Sequence, residues 1–265
     1  MRRIQIALVV WLTFFLSLSL AGQQTGSSSP QALAILQKSL AALTGGQSIA
    51  DVTLSGTARR IAGSDDQSGT GVLKGLASGA GRTDLNLSSG QRSEVQNLSA
   101  STPTGSWSGP DGVAQAMAFH NLLTEPAWFF PAFPIARRLL GSGFVATYVG
   151  QETHDGQAVE HVSVSQTSSI QGPHGTPTFQ HLTQIDFFLD STTFLPAAMS
   201  FNTHPDNDMG LDIPIEVRFS DYRSVNGAQV PFHVQRYLNN ILSLDFQTES
   251  VTLNSGLSAS AFRAQ

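Results

Sequence analysis

The 265-residue sequence predicts a mainly β, α+β fold built on a strongly curved antiparallel sheet, or unclosed β-barrel, of about 11–12 strands. The clearest observation is a segment in which every second residue is apolar: Leu211, Ile213, Ile215, Val217 and Phe219. A period of two indicates a strand with one buried and one solvated face. Similar segments recur through the second half, and Asp155-Gly156 and Asn226-Gly227 are typical of tight hairpin turns between neighbouring strands.

The N-terminus has the pattern of a secretory signal. Arg2 and Arg3 precede an apolar run from residue 4 to residue 20, and small residues stand before Gly22. We therefore expect a signal peptide over 1–21, a flexible linker over 22–29 and a periplasmic protein. An uncleaved segment that anchors the chain in the inner membrane is the alternative, because the run reaches the lower limit of a membrane-spanning length.

Composition excludes several classes of site. The sequence has no cysteine, which excludes disulfides, thiolate metal sites and cysteine nucleophiles. It carries 14 Lys plus Arg against 19 Asp plus Glu, a formal net charge of −5. Residues 1–21 hold two arginines and no acidic residue, so removing them leaves 12 against 19, a net charge of −7. Such a chain lacks the basic surface that nucleic acid requires, and we expect a monomer with no nucleic-acid partner.

The first element is predicted to be an amphipathic helix, with which a single domain over 30–265 begins. Ser29 is a capping residue, Pro30 suits a first helical turn, and Gly45 and Gly46 end the helix. One apolar stripe runs along it: Leu33, Leu36, Leu40 and Leu43.

Four or five short, glycine-rich strands should follow up to Gly109, and the glycines predict bends in them. They include Val52–Ile61, Gly71–Ala77, Arg82–Leu87 and Gln91–Leu98.

Residues 112–140 are predicted to form a central helical lid or plug. Val113–Leu123 has the composition of a helix, and Ile135–Leu140 adds a further turn. Between them, Pro126–Pro134 holds four aromatic residues among three prolines, which allow at most a turn or two of helix. These aromatics are Trp128, Phe129, Phe130 and Phe133. They serve either as a core plug that closes the sheet or as a lid that lines a pocket, and the sequence leaves both open.

The remaining strands are predicted from alternation and turn residues. They are Phe144–Gly150, Gln157–Gln166, Phe179–Leu189, Phe194–Phe201, Leu211–Tyr222, Ala228–Tyr237 and Ile241–Leu253.

Catalytic and metal motifs are weak. Gly105–Gly109 has the terminal glycines of a nucleophile elbow, but Trp107 occupies the nucleophile position. His154-Asp155, or His181 with Asp186, could act as acid and base only if the fold brought them together in a pocket. The densest polar group is His204, Asp206, Asp208 and Asp212, for which a solvated loop is the expectation. We therefore expect no enzyme, no cofactor and no metal.

Four signatures in the second half resemble the LolA/LppX-like family of periplasmic lipoprotein and lipid carriers. The first surrounds the Asp155-Gly156 hairpin, from Tyr148 to Val164, and the second runs from Ile185 to Leu195-Pro196. The third is Asp221-Tyr222-Arg223 with Asn226-Gly227 and Pro231, and the fourth is the closing strand and tail, from Val251 to Phe262. Arg59 and Arg60 lie on the first strand, where one would look for the family's functional arginine.

The resemblance implies a noncatalytic carrier that holds an apolar ligand in the concave face of a half-barrel. The implied partners are a lipid or the acyl chain of a lipoprotein, together with inner- or outer-membrane proteins. The alternative is a noncatalytic envelope interaction or regulatory domain with a packed cavity. The predicted ligand-binding residues are the central aromatics and inward-facing strand positions: Trp128, Phe129, Phe130, Phe133, Phe187, Leu189, Phe201, Ile215, Val217, Phe219, Phe232 and Phe246.

Overall fold

The computed structural model describes residues 27–99, 102–167 and 175–263. The predicted signal peptide and most of the linker lie outside these residues. At the N-terminal end of the described residues, Ser28 and Ser29 are bound to the sheet. Ala146 N–H donates to Ser28 Oγ (3.0 Å), and Ser29 N–H donates to Ala146 O (2.7 Å). Within the described ranges, no helix combines the length and the hydropathy needed to cross a membrane.

The chain forms three α-helices and thirteen strands in the described residues. The helices are α1 (Pro30–Thr44), α2 (Ala132–Leu140) and α3 (Thr176–Thr183). The first six strands are β1 (Asp51–Ala62), β2 (Asp65–Leu76), β3 (Ala80–Leu87), β4 (Gly90–Asn97), β5 (Thr104–Ser108) and β6 (Ala114–Ala116). The others are β7 (Phe144–His154), β8 (Gln157–Gln166), β9 (Ile185–Asp190), β10 (Pro196–Thr203), β11 (Ile213–Val225), β12 (Ala228–Leu238) and β13 (Ile241–Leu253).

All thirteen strands belong to one antiparallel sheet. Its order is β6-β5-β4-β3-β2-β1-β13-β12-β11-β10-β9-β8-β7. Two meanders, β1–β6 and β7–β13, are joined where β1 pairs with β13. Because β6 and β7 stand at opposite ends of this order, the sheet remains open, which confirms the predicted fold class.

The core lies on the concave face of the sheet. One apolar cluster contains Leu73 of β2, Val162 of β8, Leu36 of α1 and Phe133 of α2. Strands far apart in the sheet order share this cluster, so the sheet curves around α1 and the central aromatic segment. The predicted α1 is confirmed: Ser29 Oγ accepts from Ala32 N–H, and Gly45 ends the helix in the left-handed region at φ +59°.

The helix predicted over Val113–Leu123 is wrong. This stretch forms β6 and then a 3₁₀ turn, Phe119–Leu123. The free edge of β5 offers backbone partners, and Trp107 pairs there with Gln115. Leu122 is buried whereas Phe119 is 61% exposed, so the stretch lacks the continuous apolar stripe that a packed helix needs.

The strand predicted over Phe179–Leu189 is wrong in its first half. Residues up to Thr183 form α3, and only Ile185–Asp190 form β9. Pro177 lies in the first turn of α3 and is a helix-start signal, whereas the alternating apolar residues that predict a strand belong to β9. Leu211 also differs from the prediction: it is 55% exposed because β11 begins only at Ile213.

Candidate functional site: a half-open cavity with three arginines

A cavity of about 530 Å³ lies on the concave face, where β1, β4 and β12 come to the same end of the sheet. Its walls come from strands of both meanders, and the central aromatic segment covers it. Apolar side chains make up most of its lining: Ile61, Leu85, Trp107, Trp128, Ile215, Leu238, Ile241, Leu242 and Leu244.

Strand register explains how distant residues meet in this cavity. Leu244 of β13 lies directly opposite Arg60 of β1 and opposite Arg236 of β12. Directly opposed residues of antiparallel strands point to the same face. Within the first meander, Leu85 of β3 lies opposite Arg92 of β4, so two arginine–leucine rows reach the same hollow.

The rim of the cavity exposes large apolar side chains. Trp107 is 47% exposed, Leu238 is 41% exposed and Ile241 is 66% exposed. All three line the cavity, which is therefore open to solvent on that side.

Trp128 forms the inner cover of the cavity and is 3% exposed. Its ring meets Phe129 edge to face at 5.6 Å between centroids, and the Arg236 guanidinium lies 5.1 Å from a Trp128 ring centroid. The segment before it presses on the sheet, since a Cβ at Gly81 of β3 would overlap the carbonyl of Pro126.

A buried ion-pair group fixes this segment to α2. Glu125 Oε2 accepts from Arg137 Nη2 (2.6 Å) and from Arg138 Nη1 (2.8 Å). Burial alone would raise the pKa of Glu125, but the two arginines outweigh it and the pKa is lowered. Burial lowers the pKa of Arg138 to about 10, against the opposing effect of Glu125. These ion pairs therefore join the residue that precedes the aromatic segment to the helix in which the segment ends.

Four charged side chains line the cavity, Arg60, Arg92, Arg236 and Glu94, and four hydroxyl side chains border it as well: Thr83, Ser93, Ser108 and Ser243. Arg236 Nη1 lies 3.6 Å from Glu94 Oε2. The pKa of Arg60 is lowered, by burial first and by the neighbouring Arg92 second, while Asp65 opposes the shift.

Three of the four central aromatic residues belong to the packed core and do not line the cavity. Phe129, Phe130 and Phe133 are buried in the core cluster, and only Trp128 of the four borders the cavity. Within this one segment, three aromatic residues therefore fill the core and one, Trp128, lines the cavity.

Most predicted strand positions also belong to the packed core. Ile215 lines the cavity, whereas Phe187, Leu189, Val217, Phe219 and Phe246 are buried against the helices and aromatics. Phe201 borders a second, smaller cavity of about 260 Å³, which also touches His181 and Asp186. Phe232 is half-buried, with the Arg223 guanidinium 4.3 Å from its ring centroid.

Sequence reasoning noted Arg60 on the first strand, beside Arg59, but did not count it among the ligand-binding residues, and it missed Arg92, Arg236, Leu85 and Leu242. A signal for Arg60 was present: on β1, the even-numbered Val52, Leu54 and Ala58 face the core, and Arg60 continues that row. An arginine on an inward-facing row is uncommon enough to mark a site.

A histidine cluster lies away from this cavity. His181 Nε2 and His204 Nε2 both contact Asp212 Oδ1, at 2.8 Å and 3.1 Å, and the three ligand atoms lie within 4.8 Å of one another. The solvated loop expected here is wrong for His204, whose side chain is fully buried. Burial, against the opposing effect of Asp212, lowers the pKa of His204.

These three residues have the ligand types of a divalent transition-metal site. A metal on His204 Nε2 would place the ring proton on Nδ1, which is buried without a hydrogen-bond partner in the described structure. Hydrogen bonds to Asp212 explain the cluster better, and they connect α3 to the segment before β11.

No family model and no curated protein matches the sequence. Solved structures do match. A domain assigned as an outer membrane lipoprotein-sorting protein, from Vibrio parahaemolyticus, is 13% identical, with a TM-score of 0.55 over 88% of this chain and 96% of that chain. This chain has the LolA-like fold. A DUF1329 family protein from Desulfovibrio piger is 9% identical, with a TM-score of 0.54 over 91% of this chain and 100% of that chain. The LolA-like fold implied by the sequence resemblance is thereby confirmed.

Proposed function

We propose that the protein is a periplasmic carrier or binding protein that holds an apolar ligand, a lipid or the acyl chain of a lipoprotein, in the concave face of the half-barrel. The observation that carries this proposal is the half-open cavity of about 530 Å³ with its apolar lining and exposed apolar rim. Its volume lies within the range of about 300–1,000 Å³ that is usual for small-molecule sites.

The physical advantage of such a cavity is large. Removing an acyl chain of sixteen carbons from water is worth about 13 kcal/mol at about 0.8 kcal/mol per methylene. A cavity that covers even part of the chain lowers the barrier to leaving a membrane, and this requires no chemical step.

The ligand would occupy one end of the half-barrel rather than its whole length. Of the predicted ligand-binding residues, we propose that Trp128 and Ile215 contact the ligand directly, because these two line the cavity. The packed residues Phe187 and Phe246 would then support the wall.

A cavity-filling substitution tests the site. Leu242→Trp should weaken binding of a fluorescent fatty acid by about tenfold or more, because the larger side chain occupies the space of several methylenes. Leu140→Trp is the matched control, since Leu140 is 84% exposed and does not line the cavity. Fluorescence titration of both variants measures the effect. Equal affinities of the two variants would show that the ligand does not occupy this cavity.

Protein purified from the envelope of its own host should carry co-purifying lipid. Native mass spectrometry and solvent extraction would identify that lipid. Preparations that are repeatedly free of lipid, and that also fail to bind the fluorescent fatty acid, would contradict the carrier function.

One observation favours the second candidate, a noncatalytic interaction or regulatory domain. The aromatic segment already fills the centre of the concave face, since Phe129 and Phe130 are at most 1% exposed. This candidate predicts capture of an envelope protein by the lipid-free protein, with no change when lipid is added.

A further inference from the structure

The apolar cavity holds an excess of positive charge. Arg60, Arg92 and Arg236 line it together with one carboxylate, Glu94, so these side chains carry a net charge of +2. The whole chain, in contrast, carries −5. An acidic protein therefore places cations at the point where its surface is hollow and apolar.

One of these arginines has local partners. The Arg236 guanidinium lies over Trp128 and faces Glu94 at 3.6 Å. Cation–π and ion-pair contacts of this kind compensate much of the cost of removing a guanidinium from water.

The other two arginines are not compensated in this way. In the described residues, neither Arg60 nor Arg92 has a hydrogen bond or an ion pair within 4.0 Å, and Arg92 Nε is buried without an acceptor. The positive charge of Arg92 repels that of Arg60 and helps to lower the pKa of Arg60. Two guanidiniums in one partly buried hollow, with a donor left unsatisfied, are costly unless an anion joins them.

Both arginines also stand near the opening of the cavity. Arg60 lies two residues before the end of β1, and Arg92 lies two residues after the start of β4. The exposed rim residues Leu238 and Ile241 end β12 and begin β13 at the same end of the sheet. Trp128 and Ile215, by contrast, are at most 3% exposed and form the inner part of the hollow.

We propose that Arg60 and Arg92 bind the anionic head group, a phosphate or a carboxylate, of an amphiphile whose alkyl chain lies against Trp128, Ile215 and Leu244. This inference rests on the proposed function and names its ligand class. Guanidinium groups offer paired N–H donors that match the oxygens of phosphate and carboxylate, and such charge-assisted hydrogen bonds are about twice as strong as neutral ones. A chain with a neutral or cationic head would leave the two arginines uncompensated.

Ligands that share one chain and differ in their head test this proposal. Isothermal titration calorimetry on lipid-stripped protein would compare dodecyl phosphate, dodecyl maltoside and inorganic phosphate, with both detergents kept below their micelle concentrations. Dodecyl phosphate should bind at least about tenfold more tightly than dodecyl maltoside, and the preference should shrink as salt is raised. Inorganic phosphate should bind far more weakly than dodecyl phosphate, because it lacks the chain.

The double variant Arg60→Gln/Arg92→Gln should lose the preference for dodecyl phosphate and retain its affinity for dodecyl maltoside. Arg59→Gln is the matched control. Arg59 is the next residue on β1, does not line the cavity, and is 51% exposed where it pairs with Asp66. This control should leave both affinities unchanged. If the double variant fails to fold by circular dichroism, each single variant should still lose part of the preference.

The outcomes separate the two proposals. If neither detergent binds, the carrier function itself fails. If both detergents bind equally, or if the arginine variants weaken both by the same factor, the head-group inference is overturned while the carrier function stands. If inorganic phosphate binds as tightly as dodecyl phosphate, the arginines serve a free anion and the amphiphile is excluded as their ligand.

Discussion

Gly81 shows at the scale of one residue how closely the aromatic segment approaches the sheet. A Cβ at this position would overlap backbone atoms of Pro126, which cannot move aside as a flexible side chain could. Gly109 differs, since a Cβ there would meet its nearest neighbour at 3.5 Å, an ordinary contact distance.

We expect Gly81→Ala to lower the free energy of unfolding by about 1–3 kcal/mol, because the methyl group pushes the segment away from β3. Gly109→Ala should be neutral or stabilising by up to about 1 kcal/mol, because alanine restricts the unfolded chain and a Cβ meets no close contact here. Both variants restrict the unfolded chain to the same extent, so the difference between them measures the contact with Pro126. Urea denaturation of the two variants provides the measurement. Equal stabilities would mean that the segment is not seated on β3.

Tyr222 joins two of the sequence signatures in the folded protein. Its hydroxyl donates to Pro196 O at 2.8 Å, so the Asp-Tyr-Arg signature on β11 is joined to the Leu-Pro signature that starts β10. Burial raises the pKa of Tyr222 well above its ordinary value, which keeps the donor protonated. A hydrogen bond between signatures 26 residues apart could not be read from local pattern.

At the scale of elements, Glu125 decides whether α2 and the aromatic segment stay together. Its side chain is 1% exposed and neutralises two arginines, one of which is itself 2% exposed. Glu125→Gln should lower the free energy of unfolding by about 3–5 kcal/mol, because it leaves buried arginine charge unpaired.

Glu249→Gln serves as the comparison for this prediction, since Glu249 is exposed on β13. It should change the free energy of unfolding by less than about 0.5 kcal/mol. Thermal or urea unfolding would measure both variants. A small effect at Glu125 would show that water reaches the ion-pair group.

The elements that sequence predicted well are those with regular alternation. The bounds of Gln157–Gln166 and Ile241–Leu253 agree with the structure, as do the two hairpins, in which Asp155 and Asn226 take positive φ. The failures occurred where local pattern was ambiguous. The apolar residues of α3, Phe179 and Leu182, are three apart as in a helix, but the alternating residues of β9 follow them closely and extended the predicted strand backwards. The apolar residues before Leu123 resemble a helix, although an open sheet edge takes up part of that stretch.

The candidate site was less predictable than the fold. Alternation correctly placed Phe187, Val217 and Phe246 on the inner face. Which inner positions stay uncovered depends on where residues 126–140 come to rest, and that is set by long-range contacts such as Pro126 with Gly81. Periodicity reports the face of a strand, not what covers it.

For the whole molecule, carboxylates that hold distant segments together predict acid sensitivity. Asp51 accepts hydrogen bonds from the backbone of Ser255, Gly256 and Leu257, and Asp186 contacts His161 at 3.1 Å. Burial alone would raise the pKa of Asp51, Asp186 and Glu125, but their hydrogen-bond and charge partners outweigh it and all three pKa values are lowered.

A folded-state pKa below the unfolded value gives stability that is present above the ordinary pKa of 3.8 for Asp or 4.5 for Glu and is lost as the pH falls through the folded value. The urea midpoint should therefore fall steeply below about pH 5. His161 acts in the opposite sense, because its raised pKa gives stability that is lost as the pH rises above 6.5. Urea titrations at pH 7, 5, 4 and 3 would measure this profile, and an unchanged midpoint between pH 5 and pH 3 would contradict it.

The anchoring of the aromatic segment by Glu125 has a kinetic consequence. In the proposed carrier, a cover fixed by buried charges would stay in place, so the ligand would enter and leave past Trp107 and Ile241. The rate of release from the proposed carrier would then depend on the contacts of the ligand with the rim and the cavity wall, and not on the opening of a cover.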